Sequence, residues 1–124
     1  MSEDLHKEFI DGTHRWIRPE ATLKRIAPHL EAMGITRAAD VTGLDKINIP
    51  VFCSMRPQGK VLQISNGKGA TTEAAEASAL MEAIELHHAE NPPADMRRDS
   101  AMGILQSGGP LLGAAALELG DVNA

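Results

Sequence analysis

The segment Thr71–Glu90 most constrains what this chain can fold into. TTEAAEASALMEAIELHHAE holds no glycine or proline, is dense in alanine, and is followed by Pro92-Pro93. Such a run predicts a helix of about five turns, with Thr71 or Thr72 as its cap, Glu73 favourable to the dipole in the first turn, and the two prolines as the stop. At about 100° per residue, Ala77, Leu80, Met81, Ile84 and His88 fall on one side, the expected core face. Ser78, Glu82 and Glu85 line the edge of that face, while Glu73 and Glu76 project elsewhere.

A helix with one apolar face needs a partner layer, and the preceding residues supply one. Pro19 suits the first turn of an earlier helix, whose face is Leu23, Ile26, Ala27, Leu30 and Met33 and whose end is Gly34. Pro28 inside that pattern predicts a kink or local break, after which the helix resumes. Ile35–Thr42 reads as a short strand closed by a turn at Gly43-Leu44-Asp45. Asn48–Arg56 reads as a second strand, Pro57-Gln58-Gly59-Lys60 as its turn, and Val61–Ser65 as an antiparallel third. The fold class is therefore α+β, a small antiparallel sheet with two main packed helices. With three strands, one sheet edge is expected to be open.

The ends carry less pattern. Residues 1–11 are mostly polar and expected to fray. Residues 94–124 form a tail in which Ser107-Gly108-Gly109-Pro110 separates a short helix from a final Leu- and Ala-rich one.

With 124 residues the chain is one domain at most. The core is expected to be aliphatic, because the chain has two Phe, one Trp and no Tyr. A formal charge of -5 argues against non-specific nucleic-acid binding, which needs clustered Lys and Arg. The single cysteine excludes an internal disulfide and any Cys-x-x-Cys metal signature. Beside Val51 and Phe52, Cys53 reads as a buried small apolar residue rather than a reactive thiol. No apolar run approaches the roughly 20 residues of a membrane span, and the N-terminus lacks the order of a secretory signal. A cytoplasmic location without a membrane partner is the expectation.

Chemistry concentrates on the long helix. Glu82 and Glu85, with the Ser78 hydroxyl one turn earlier, are close enough to share a ligand, and hard oxygen donors of this kind favour Mg2+. Upstream, Ser65-Asn66-Gly67-Lys68-Gly69-Ala70 offers backbone N–H groups, a lysine and a helix N-terminus, which suit an anion. The plainer reading of the same residues is a turn that merely introduces a structural helix. They are not a Walker loop, since Leu62 and Gly69 stand where its first glycine and its Ser or Thr belong, nor Gly-x-Gly-x-x-Gly, since Thr72 replaces the third glycine. Glu85 and His88 form a Glu-x-x-His pair of the sort that binds transition metals in helical bundles, against the plainer reading of a core-edge histidine. In Gly12–Arg18, basic side chains surround Trp16; Arg15 or Arg18 contacts an anion, or the arginines are solvated around a packed Trp.

Several of these motifs together resemble the N-terminal part of the YcaO family. They are Gly12-Thr13-His14-Arg15 followed by Pro19–Leu23, Val41–Asp45 followed by Ile49-Pro50-Val51, Arg56-Pro57, Ser65–Thr71, and Ala77–Glu85, in the family's order across roughly residues 12–91. The resemblance implies an enzyme that uses ATP and Mg2+ to phosphorylate a peptide backbone amide, forming azolines or thioamides in the biosynthesis of modified ribosomal peptides. The implied partners are the peptide substrate and a TfuA-like or peptide-recognition subunit, or a complementary YcaO segment. In the family's Ser-x-x-x-Glu-x-x-Glu-Arg helix the serine and glutamates contact nucleotide or hold metal. Carried over, Ser78 and Glu85 meet the nucleotide and Glu82 and Glu85 the metal, with Arg15, Thr22 and Lys68 near the phosphates. Leu86 replaces the family arginine. The second carboxylate-bearing helix of the family and its C-terminal portion have no counterpart here, so residues 12–93 read as a YcaO-like N-terminal segment, incomplete relative to a full domain.

Overall fold

A computed structural model describes residues 6–94 and 99–109, and the chain divides into two compact units, Met1–Pro92 and Pro93–Ala124. In the first, helix α1 (Pro19–Ile26) is followed by strands β1 (Arg37–Asp40), β2 (Val51–Met55) and β3 (Ile64–Lys68) and by helix α2 (Thr72–Glu90). The second contains helix α3 (Ala101–Gln106), where the tail was expected to hold a short helix. The final helix expected after Pro110 lies outside the described residues. The strands form one antiparallel sheet in the order β1-β2-β3, with Ala38 opposite Ser54 and Ser54 opposite Ser65.

Helix α2 follows its sequence signals closely. Thr71 is the cap, its Oγ1 accepting from the Ala74 N–H at 3.2 Å. The helix packs in two directions. Ala75 and Ala79 face Phe52 on the sheet, while Leu80, Ala83 and Ile84 meet Ile35 and, from the preceding helix and turn, Leu23, Ile26, Leu30 and Met33. The sheet-facing alanines were not among the residues expected in the core. They serve there because only a methyl group lets a helix lie this close to a sheet, a demand that periodicity does not reveal.

Gly67 sets that distance. A Cβ on this residue would run into the backbone of α2 at the Ala75 carbonyl and the Ala79 nitrogen. The same closeness lets the buried Ser54 hydroxyl donate to the Ala79 carbonyl oxygen at 2.9 Å across the interface.

Four details differ from expectation. First, the third strand begins at Ile64 rather than Val61, so Gly67 and Lys68 stand in a strand and not in a turn. The cause is Glu90, which accepts the Val61 N–H at 3.0 Å and holds residues 57–62 out of the ladder. Second, Cys53 and Val51 are half-buried on the face of the sheet turned away from α2, because it is Phe52 and Ser54 that point to the helix. Third, after Ile26 the first helix tightens at Pro28 into a 3-10 turn, Ala27–His29, and does not resume as α-helix. Fourth, His88 is exposed, since the last turn of α2 outruns the elements that cover its earlier face. Within the stretch read as frayed, Phe9 is buried and exchanges backbone hydrogen bonds with Arg15.

The end of α2 is tied down by charge. Arg56 donates from both terminal nitrogens to Glu90 at 2.7 Å, with the side chains only 5% and 4% exposed. Lys60 Nζ adds a bond to the Glu90 carbonyl oxygen at 3.0 Å. Arg56, with the Lys60 and Val61 backbone N–H groups, holds the Glu90 carboxyl down at about 2, below its ordinary 4.5. A depressed carboxyl contributes stability that is complete above its ordinary pKa and disappears as pH falls through the folded-state value.

Two outcomes are expected. Denaturant unfolding of Gly67→Ala should show a loss of about 3 kcal/mol, the upper range for overpacking, because the obstructing atoms are backbone. In acid titrations of the unfolding midpoint, the wild type should lose stability between pH 4.5 and about 2, and Glu90→Gln, weaker at neutral pH, should lose less over that interval.

Candidate functional site

The edge of α2 left free by packing carries Ser78, Glu82 and Glu85. These three, Met81 and Arg15 line an open cleft of about 350 Å³. Ser78 is half-buried and both glutamates are exposed. Arg15 is brought there by the bridge to Phe9, which folds residues 8–16 back on themselves. Its Nε, like that of Arg56, is buried and has no hydrogen-bond partner among the described residues.

The other candidate residues lie around this cleft. Lys68, exposed on β3, shares with Ser78 a hollow of about 210 Å³ beside Gly67, and shares with Arg15 a hollow of about 120 Å³ beside Gly12 and Gly69. Thr22 is not on the carboxylate cleft. It lines a neighbouring groove of about 330 Å³ with Arg15, and its hydroxyl donates to the Arg18 carbonyl oxygen at 3.3 Å. Arg15 thus stands where three hollows meet, and Ser78 where two do.

The anion-binding loop considered for residues 65–70 does not exist as a loop. Ser65–Lys68 pair with β2, the Gly69 N–H donates to Pro50, and Thr71 caps the helix N-terminus. The Glu85–His88 metal pair gains no further ligands either: among the described residues there is no group of three His, Cys, Asp or Glu side chains able to hold a metal ion. Two carboxylates and a hydroxyl suit a hard divalent cation that keeps waters and takes phosphate oxygens as its remaining ligands. Arg15, which lines the same cleft, fits the phosphate side of such a ligand. The donor set is therefore compatible with Mg2+ and a nucleotide.

Sequence reasoning missed the Arg56–Glu90 clamp. Its only sequence trace is an arginine at the end of an apolar strand and a glutamate at a helix end, and no spacing rule joins residues so far apart. Among the described residues no helix is long and apolar enough to cross a membrane.

An α+β layer of this kind is also found in a solved structure. The fold matches the structure of YcaO from Methanopyrus kandleri bound with AMPPCP and Mg2+, with a TM-score of 0.62 and 24% identity over 78% of this chain and 27% of that one. The profile of the family described as YcaO cyclodehydratase, ATP- and Mg2+-binding, matches residues 66–122. An uncharacterized protein of Mycobacterium tuberculosis is 46% identical over 68% of this chain, and an uncharacterized protein in the tfuA 3' region of Rhizobium leguminosarum bv. trifolii is 46% identical over 69%. A protein of Methanothermobacter thermautotrophicus is 46% identical over 64%. The chain carries a YcaO-family segment. It spans about a fifth of the length of these relatives, from 19% to 21%.

Glu82 and Glu85 are exposed and make no hydrogen bond or ion pair with the described residues. Glu82→Gln and Glu85→Gln, singly or together, should therefore leave the unfolding free energy within about 0.5 kcal/mol of wild type in denaturant titrations. Changes in ligand binding by these variants then report on the site alone.

Proposed function

We propose that this chain supplies one wall of the Mg2+·ATP site of a YcaO-type enzyme, which phosphorylates a peptide backbone amide on the way to an azoline or a thioamide. The observation that carries the reading is the convergence of Ser78, Glu82 and Glu85 with Arg15 on one cleft. The family description and the AMPPCP- and Mg2+-bound Methanopyrus protein support it.

In this reading Glu82 and Glu85 hold Mg2+, Ser78 hydrogen-bonds the nucleotide, and Arg15 and Lys68 face the phosphates. Thr22, on the adjoining groove, reaches the part of the nucleotide beyond them. When bound, Mg2+·ATP supplies the phosphoryl group that turns a poor leaving oxygen into a good one. The residues of this chain orient that group and neutralise its charge, and none of them needs to carry a proton. Leu86, where the family has arginine, is half-buried on α2 and adds packing in place of a charge. Residues 12–93 carry all the assigned side chains, and the family match to residue 122 favours counting residues 94–122 with them. The site is completed by residues from the remaining four fifths of a relative's length, or from a complementary segment. The relative beside tfuA favours a TfuA-like partner and hence thioamide chemistry.

A second reading, a non-catalytic module that docks on a partner subunit, draws on the apolar side chains exposed around β3, with Ile64 at 53% and Val61 at 71%. A well-folded monomer that turns over ATP would exclude it.

Calorimetric titration with Mg2+·ATP, alone and with the products of neighbouring genes, separates the readings. Wild type should bind in at least one combination, and Glu82→Gln/Glu85→Gln should weaken binding at least tenfold, the loss of roughly 1.4 kcal/mol. No nucleotide binding in any combination would sink the enzymatic reading.

A further inference from the structure

The open edge of β3 has no role in the site so far. At its two ends the Arg56 N–H donates to the Gln63 carbonyl oxygen at 2.7 Å and the Gly69 N–H to that of Pro50 at 3.2 Å. The register between them makes Ser54 with Ser65 and Phe52 with Gly67 the pairs that bond β2 to β3. By the same alternation Ile64, Asn66 and Lys68 turn their backbone N–H and C=O groups away from β2. β3 is the last strand of the sheet, so these groups reach its edge, where no backbone partner meets them among the described residues. Such an edge is a template for one more strand.

The surroundings of the edge say what that strand is. Ser78 lines both the hollow beside Asn66, Gly67 and Lys68 and the carboxylate cleft, so the edge and the cleft adjoin. A strand held permanently inside a protein is buried by apolar neighbours on both faces. Toward the cleft this edge offers instead the exposed Asn66 and Lys68 on one face, and Gly67 and Ser78 on the other. It suits a ligand that comes and goes and is recognised by its main chain, with Ile64, 53% exposed, as an apolar neighbour for one side chain. We infer that the open edge of β3 takes the peptide substrate as an added strand, paired through the backbones of Ile64, Asn66 and Lys68. The inference rests on the peptide-modifying reading of the cleft. It gives that reading a way to hold a backbone amide beside the phosphates with little regard to the side chains it carries.

The test is calorimetry of the full chain, alone and with any partner that Mg2+·ATP binding needs, using the probe acetyl-Thr-Val-Thr-Val-Thr-Val-amide. N-methylation of alternate residues leaves the probe one unblocked edge and should keep its affinity within about threefold, whereas methylation of two adjacent central residues blocks both edges and should weaken it at least tenfold. On the protein, Asn66→Pro removes an outward N–H while Ser65 and Gly67 keep their bonds to β2. It should weaken the unmodified probe at least tenfold and leave Mg2+·ATP binding unchanged, and Asn66→Ala should bind the probe as wild type does. Circular dichroism checks the fold, and if the proline variant does not fold the methylated probes decide alone. If the doubly blocked probe binds as well as the others, or Asn66→Ala weakens binding as much as Asn66→Pro, strand addition is wrong. If the probe binds the chain alone and is excluded once a complementary segment is added, the edge belongs to that segment and not to the substrate. If Mg2+·ATP binds and no probe does, the inference falls and the nucleotide reading stands; if neither binds in any combination, both fall together.

Discussion

The close approach of β3 to α2 is the constraint on which the rest of this structure depends. At Gly67 the strand backbone lies against the backbone of the helix, with no room for a side chain between them. That contact makes Ala75 and Ala79 core residues and brings the Ser54 hydroxyl within reach of a helix carbonyl. It also fixes the rotation of α2. With alanines pressed on the sheet and Leu80 and Ile84 on the α1 side, Ser78, Glu82 and Glu85 are left on the edge that faces Arg15.

A helix held so closely at one end of the sheet must also be held at the other, and there the means are ionic. The paired bonds of Arg56 to Glu90 fasten the end of β2 to the last residue of α2, and Glu90 also gathers the loop that precedes β3. Burying such a pair adds little net stability compared with an apolar contact, but breaking one partner leaves an uncompensated charge. The clamp thus specifies where the helix ends and where the third strand begins.

The site is built from side chains that packing does not use. Its carboxylates are exposed and have no partner among the described residues, so in isolation they repel each other by a few tenths of a kcal/mol, a repulsion that a cation between them would relieve. Arg15 is the counterpart, a cation on the same cleft. In the proposed reading these groups meet a ligand, and two carboxylates of a coordination shell need the remaining ligands from elsewhere.

Much of this was legible in the sequence. The cap at Thr71, the span of α2, the antiparallel strands, the break at Pro28 and the shared edge of Ser78, Glu82 and Glu85 all follow from local chemistry: capping oxygens, the missing proline donor, and a 3.6-residue period. Local rules failed where a distant residue intervened. The strand start moved from Val61 to Ile64 because Glu90 takes a backbone donor. Gly67 became a strand residue because a helix needs its missing side chain, and His88 left the core because the last turn is held through Glu90 instead. Arg15 entered the cleft only through its bridge to Phe9. The sequence by itself determined the elements and which side chains share a helix edge, since these depend on neighbours a few residues apart. The tertiary structure alone decided which face of each element is buried and which charges meet, because those depend on backbones brought together from opposite ends of the chain.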